Sequence, residues 1–188
     1  KYNRDDGMGG MRVHSILRDQ RDNVIVVTND KRDMLLNVFD GNRFYPVKAN
    51  LPSKAVYGWT WGQIIVNTRA GDWWLAKDEE SVLYRFRNIT DVRQLRHAMP
   101  QTYTAREGFS DQTIWKMYED ARGDVWLSTS YQIRLLRWEQ ATGKIHDPGA
   151  ALGVPQNISH AVSYVEDRAG NLWMGSAAKS GSRLMRYR

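Results

Sequence analysis

The stretch Tyr118–Thr129, YEDARGDVWLST, recurs as VEDRAGNLWMGS at Val165–Ser176. Each copy runs hydrophobic residue, Glu-Asp, two residues, Gly, Asp or Asn, aliphatic, Trp, aliphatic, then small residues. Two copies of one pattern 47 residues apart mark a repeat protein, and a repeat constrains a fold more tightly than composition does. Weaker copies precede them. Aligned on the bulky apolar anchor, the units bring Ile25, Trp74, Trp126 and Trp173 into correspondence at spacings of 49, 52 and 47 residues.

Between the anchors the chain reads as short strands separated by turns. VIVVTN is a continuous apolar run, and Asp40-Gly41-Asn42 is a tight turn between two further strands. No segment holds a helical period of 3.6 over eleven or more residues. Asp91–Ala105 is less regular and reads as a loop or a short outer strand. A period near 50 with three or four strands per unit is the signature of propeller blades. A β-sandwich also has evenly spaced strands, but it has no reason to repeat one turn and one Trp.

The expected fold is therefore all-β: β-propeller blades, about four four-stranded antiparallel repeats of about 50 residues. Residues 1–10 read as a flexible lead-in, and residues 11–188 as the propeller segment. Its blades are expected at 11–54, 55–105, 106–154 and 155–188. The last unit stops after its third strand, and an open arc exposes blade faces and edges. A partial propeller, or arcs completed by another chain, is thus expected over a four-bladed ring. The opening KYNRDDGMGG is polar and lacks an initiator Met, which predicts an excised or processed piece of something longer.

The motif has a physical account as a hairpin and an interface. Asp120 and Asp167 end a strand, where a short carboxylate accepts backbone N–H groups of the turn. Gly123, Gly170 and Gly71 take a positive φ without a Cβ penalty. Trp126, Trp173 and Trp74 then wedge between neighbouring sheets. In the first unit Asp22 replaces the Gly and Ile25 the Trp, and in the second Thr68 replaces the Asp. Less ideal turns are expected there.

Composition narrows the function classes. A net charge of +6 comes from 27 basic residues interleaved with 21 acidic ones, with no basic block, so nucleic acid is not an expected partner. No run approaches a membrane span, so any membrane link would come through parts outside this chain. Zero Cys removes disulfides and thiolate metal sites. His14, His97, His146 and His160 lack metal-ligand spacing, and no phosphate-binding glycine loop is present, so neither metal nor cofactor is expected.

At EDRAGNLWMGS followed by SRLMRYR, and EDARGDVWLST followed by IRLLRWE, the chain resembles the two-component regulator propeller repeat. The lead-in GFSDQTIWKMYED is similar to that family's approach to the motif. The resemblance covers about half the chain strongly and the rest by period only. It implies a β-propeller sensor in the periplasmic or extracellular half of a bacterial signalling protein, with the output carried elsewhere. It also implies seven-bladed rings and, in gut members, oligosaccharide ligands. Kinase and receiver motifs are absent from these residues.

If the units are blades, the first strand of each lines the channel and its entry rings one mouth. Counting seven back from the turn position gives Arg12, Trp61, Thr113 and His160, polar or aromatic in every unit, as a wet stacking site requires. The expected function is ligand sensing without catalysis, with a small-molecule or oligosaccharide ligand and further blades or another copy of the chain as partners. The alternatives are a propeller lyase or hydrolase fragment, which needs a His/Glu or metal constellation at the mouth, and a protein-interaction scaffold.

Overall fold

A computed structural model describes residues 1–30, 33–52, 63–76, 81–109, 113–129, 134–149, 152, 158–178 and 182–188. For 158–162 and 177–178 only the backbone is described. The chain divides into two compact units, Lys1–Glu79 with Leu83–Thr102, and Glu80–Val82 with Tyr103–Arg188.

The first unit holds two antiparallel sheets. Blade 1 is β1 (Arg12–Arg18), β2 (Val24–Asp30), β3 (Asp33–Phe39) and β4 (Phe44–Val47), in that spatial order. Blade 2 is β5 (Ile65–Asn67), β6 (Trp73–Ala76), β7 (Leu83–Phe86) and β8 (Gln101–Tyr103). Residues Asp91–Ala105, irregular by sequence, form a short 3-10 turn at Val92–Arg96 before that outer strand. The second unit repeats the plan. Blade 3 is β9 (Ile114–Glu119), β10 (Val125–Thr129), β11 (Leu135–Glu139) and β12 (Lys144–His146). Blade 4 has three strands, β13 (Ile158–Glu166), β14 (Leu172–Ala178) and β15 (Arg183–Tyr187). Four up-and-down sheets in sequence order, one per repeat, are propeller blades.

Alternation along the strands gives each blade two faces. One carries the anchor, Ile25, Trp74, Trp126 or Trp173; the other is its reverse. Within the second unit the anchor face of blade 3 packs on the reverse face of blade 4. Trp126 is fully buried against Leu172 and Met174 and meets Tyr187 edge-on, with ring centres 4.9 Å apart. Tyr118 stacks on Tyr164 at 5.6 Å. The expected wedge is therefore present at this seam.

The reverse face of blade 1 is covered differently. Met8 is buried with Val26 and Phe44, and Tyr2 lies edge-on to Phe39 and Phe44, both at 5.3 Å. The Phe44 N–H donates to the Asp6 carbonyl (2.8 Å), and the Gly9 N–H donates to Asn37 Oδ1 (2.7 Å). Asn37 is fully buried, and its amide also donates to the Val26 carbonyl and Thr28 Oγ1. A Cβ on Gly10 would lie 2.3 Å from the Asn29 carbonyl oxygen, so only glycine lets the backbone approach this closely. The segment that composition marks as a flexible lead-in is thus docked. Its polar residues hid two apolar anchors and a row of backbone contacts.

Candidate ligand-binding site

The conspicuous residues must be placed first, because they would be the natural candidates for chemistry. All four turns close in the same way. The backbone N–H at positions 19, 68, 120 and 167 donates to the carbonyl four residues on, and the N–H at 22, 71, 123 and 170 donates back to the first carbonyl. The third turn residue after the opening position has positive φ in every blade: 62° at Asp22, 84° at Gly71, 86° at Gly123 and 77° at Gly170. The degenerate copies are as fully formed as the others. Asp22 adopts the left-handed region that aspartate tolerates, and Thr68 Oγ1 accepts the Asp72 N–H (3.1 Å) in place of a carboxylate.

Asp120 and Asp167 are saturated. Asp120 Oδ1 accepts the N–H groups of Arg122 (2.9 Å) and Asp124 (3.1 Å), and its Oδ2 accepts the Trp126 indole N–H at 2.9 Å. Asp167 repeats the set with Ala169, Asn171 and the Trp173 indole at 2.8 Å. Aspartate and tryptophan six residues apart are therefore one device. For Asp120, burial works against ionisation, but the Trp126 indole and the Arg122 guanidinium outweigh it and the pKa falls below the usual value. For Asp167 the Trp173 indole, with Asn171, lowers it to about 2. Carboxylates held ionised by fixed donors are poor general acids near neutral pH. They build the hairpin.

A second device was not read from the sequence. The strand register sets Trp74 opposite Arg85, Trp126 opposite Arg137 and Trp173 opposite Arg186. Each guanidinium lies over its indole, at 5.2, 5.8 and 5.6 Å. In blade 1 both members change together, to Ile25 opposite Val38. In blades 2 and 3 the turn aspartate pairs with this arginine: Asp72 with Arg85 at 2.5 Å and Asp124 with Arg137 at 3.2 Å. In blade 4 Asn171 stands at the aspartate position.

The mouth positions lie elsewhere. Thr28 pairs with Val13, Thr129 with Ile114 and Ser176 with Ala161, all three residues beyond their anchors. Arg12, Thr113 and His160 immediately precede those partners, so the ladders set them at one equivalent position in blades 1, 3 and 4. Beside each lies a register irregularity in the pairing of the first strand, between Val13 and Ser15, at Ile114 opposite Thr129, and between Ala161 and Ser163. Such bulges re-aim side chains at sheet ends. Arg12 is exposed and Thr113 half-buried. Trp61 lies outside the described residues, and His160 is placed by its backbone alone.

Among the described residues no group of three His, Asp or Glu is arranged to hold a metal ion. A cleft of about 10 Å³ opens beside the turn of blade 1, lined by Asp19, Gln20, Arg21, Asn67 and Trp73 among others. It falls below the few hundred Å³ that a drug-sized ligand occupies. Among the described residues no helix is long and apolar enough to cross a membrane.

The fold and repeat are those of a β-propeller segment. Residues 108–131 match the family model described as two component regulator propeller, so the resemblance carried by the third repeat is confirmed over that stretch. No curated protein sequence matches the chain. Among solved structures, it is similar to a protein described as the extracellular domain of a hybrid two component system from B. thetaiotaomicron, with TM-score 0.64 and 18% identity over 98% of this chain and 24% of that one. A second domain so described from the same organism gives TM-score 0.66 and 18% identity over 94% of this chain and 23% of that one. Virginiamycin B lyase from Staphylococcus aureus gives 0.59 and 14%, over 94% of this chain and 55% of that one. The chain thus spans about a quarter of the first two and about half of the lyase.

Proposed function

We propose that the chain is the ligand-sensing part of a bacterial extracytoplasmic signalling protein, a segment of a propeller that binds a small molecule or oligosaccharide without turning it over. The observation that carries this reading is the engagement of the motif carboxylates. Asp120 and Asp167 are committed to turn and indole, so the ligand is assigned to the polar or aromatic first-strand entries Arg12, Trp61, Thr113 and His160, the positions counted from the motif. The third-repeat family match and the two extracellular neighbours support a sensing role on the outer side of a membrane. Further blades, or another copy of the chain, would complete the ring.

A thermal-shift screen against oligosaccharides and small metabolites, with mass spectrometry of the same wells, tests this. A glycan that raises the melting midpoint and is recovered unchanged is the expected result. Recovery of a cleaved product would replace the sensor with a lyase or hydrolase. A flat response to every compound, with a protein partner captured instead, would favour a scaffold.

A further inference from the structure

The outer rim of the first unit carries an aromatic ring set among guanidinium groups. Tyr45 lies on β4 opposite Val38, so its ring is on the anchor face of blade 1 at the outermost strand. Phe44 beside it is buried, whereas Tyr45 is 40% exposed. The Arg43 and Arg93 guanidinium carbons stand 5.8 and 5.9 Å from the ring centre. Arg43 shares the face, two residues earlier in the chain, and Arg93 comes from the 3-10 turn of blade 2.

These parts are held in place. Arg96 Nη2 donates to the Pro46 carbonyl at 2.6 Å and the Asn50 N–H to the Leu95 carbonyl at 2.8 Å, which ties the turn to the end of blade 1. The Tyr45 hydroxyl donates to the Asp40 carboxylate, whose Oδ1 also accepts the N–H groups of Asn42 (2.9 Å) and Arg43 (2.8 Å). The backbone donors, Arg43 first and then Asn42, hold the Asp40 carboxyl below its ordinary value, so it is an exposed acceptor at neutral pH. Asp91 pairs with both Arg93 (3.1 Å) and Arg21 (3.2 Å). Groups fixed in this way lose little freedom when a ligand arrives.

Charge at the rim is uneven. Four guanidiniums, on Arg21, Arg43, Arg93 and Arg96, stand near two carboxylates, on Asp40 and Asp91. Arg85 and Arg137 also lie over rings, and each pairs with an aspartate, Asp72 or Asp124. Arg43 has no such ion pair among the described residues.

The combination selects a chemistry. A half-exposed tyrosine offers a flat apolar face to the C–H side of a pyranose ring. A guanidinium offers paired donors to a carboxylate or sulfate, and an ionised carboxylate accepts sugar hydroxyls. A neutral sugar would leave the arginine unused, and a bare anion would leave the ring unused. We propose that this rim binds an acidic saccharide, a pyranose bearing a carboxylate or a sulfate. Its ring stacks on Tyr45, its anion meets Arg43 and Arg93, and a hydroxyl donates to Asp40. The proposal goes beyond the sensing mouth and uses none of its residues.

Isothermal titration of the full chain at low salt tests it with four probes: a galacturonic acid trimer, lactose 6-sulfate, maltotriose and inorganic sulfate. At least one acidic sugar should bind about tenfold or more tighter than maltotriose and inorganic sulfate, and the two acidic probes decide which anion is preferred. Arg43→Gln and Tyr45→Ala should each weaken that binding by about fivefold or more, with tryptophan emission showing the protein still folded. Arg186→Gln removes the same charge from an exposed position in the second unit and should leave the affinity unchanged. No binding of either acidic sugar would overturn the proposal. So would equal affinity for maltotriose or for inorganic sulfate, or an equal loss in Arg186→Gln. A glycan screen that fails at the mouth leaves this result readable, because Arg43 and Tyr45 belong to the rim of the first unit alone.

Discussion

Asp120→Ala is the substitution whose cost follows most directly from the structure. The side chain is 1% exposed and accepts N–H groups from the Arg122 backbone and guanidinium and, in buried surroundings, from Asp124 and Trp126. Alanine leaves those two buried donors without their acceptor. A buried donor so stranded costs about 1–3 kcal/mol, so the pair costs about 3–4 kcal/mol, a large part of the ~5–15 kcal/mol typical of a folded domain. Urea unfolding followed by tryptophan fluorescence reads the loss. A double-mutant cycle with Trp126→Phe isolates the carboxylate–indole term. Since phenylalanine removes the donor together with the need for an acceptor, the coupling should be about 1–2 kcal/mol. A loss below about 1 kcal/mol for Asp120→Ala, or a coupling indistinguishable from zero, would refute the view that this aspartate and tryptophan form one structural device.

Three further outcomes follow from the same geometry. The folded pKa of Asp120 lies below its unfolded value, so its contribution is complete above about pH 4 and is lost as pH falls through the lowered folded value; the stability difference between wild type and Asp120→Ala should shrink on acidification, and a constant difference from pH 7 to pH 3 would contradict this. Arg137→Met breaks an arginine only 15% exposed away from Asp124, Glu139 and the Tyr187 hydroxyl, and should cost about 3 kcal/mol by denaturant titration, whereas Arg186→Met at an exposed position should cost much less; equal losses would refute the view that burial at the blade 3–4 seam sets what these arginines contribute. Asp22→Gly relieves a left-handed backbone at φ 62° and gives up only an exposed ion pair with Arg18, so it should raise stability by about 0.5 kcal/mol, where a measurable loss would show the pair to matter more than the strain.

The architecture was legible because its signals are local. A turn needs its carboxylate and its positive-φ residue at fixed offsets, and the anchor follows at a fixed distance, so Asp167, Gly170 and Trp173 announce a blade within one short window. Even the degenerate turns kept their positions, although the sequence suggested weaker turns than Asp22 and Thr68 make. The arginines opposite the anchors were not legible as partners. Arg85, Arg137 and Arg186 meet their tryptophans through register across a hairpin, and nothing local distinguishes them among the chain's other basic residues. The docked lead-in was missed for a related reason. Tyr2 and Met8 are isolated apolar residues in a polar run, and they acquire meaning only against Phe39, Phe44 and Val26. The mouth positions could be counted from the motif, and the ladders align three of them, but their polarity names no ligand.

The most direct test of the division between a structural motif and a functional mouth is hydrogen exchange on the full chain titrated with a stabilising glycan from the screen. Slowed exchange should concentrate at the first-strand entries around Arg12, Trp61, Thr113 and His160, with the turns at Asp120 and Asp167 unchanged, and His160→Ala should abolish it while leaving the melting midpoint of the free protein intact. Protection centred on the 120–126 and 167–173 turns, with the entries unaffected, would place the site in the motif and contradict the account.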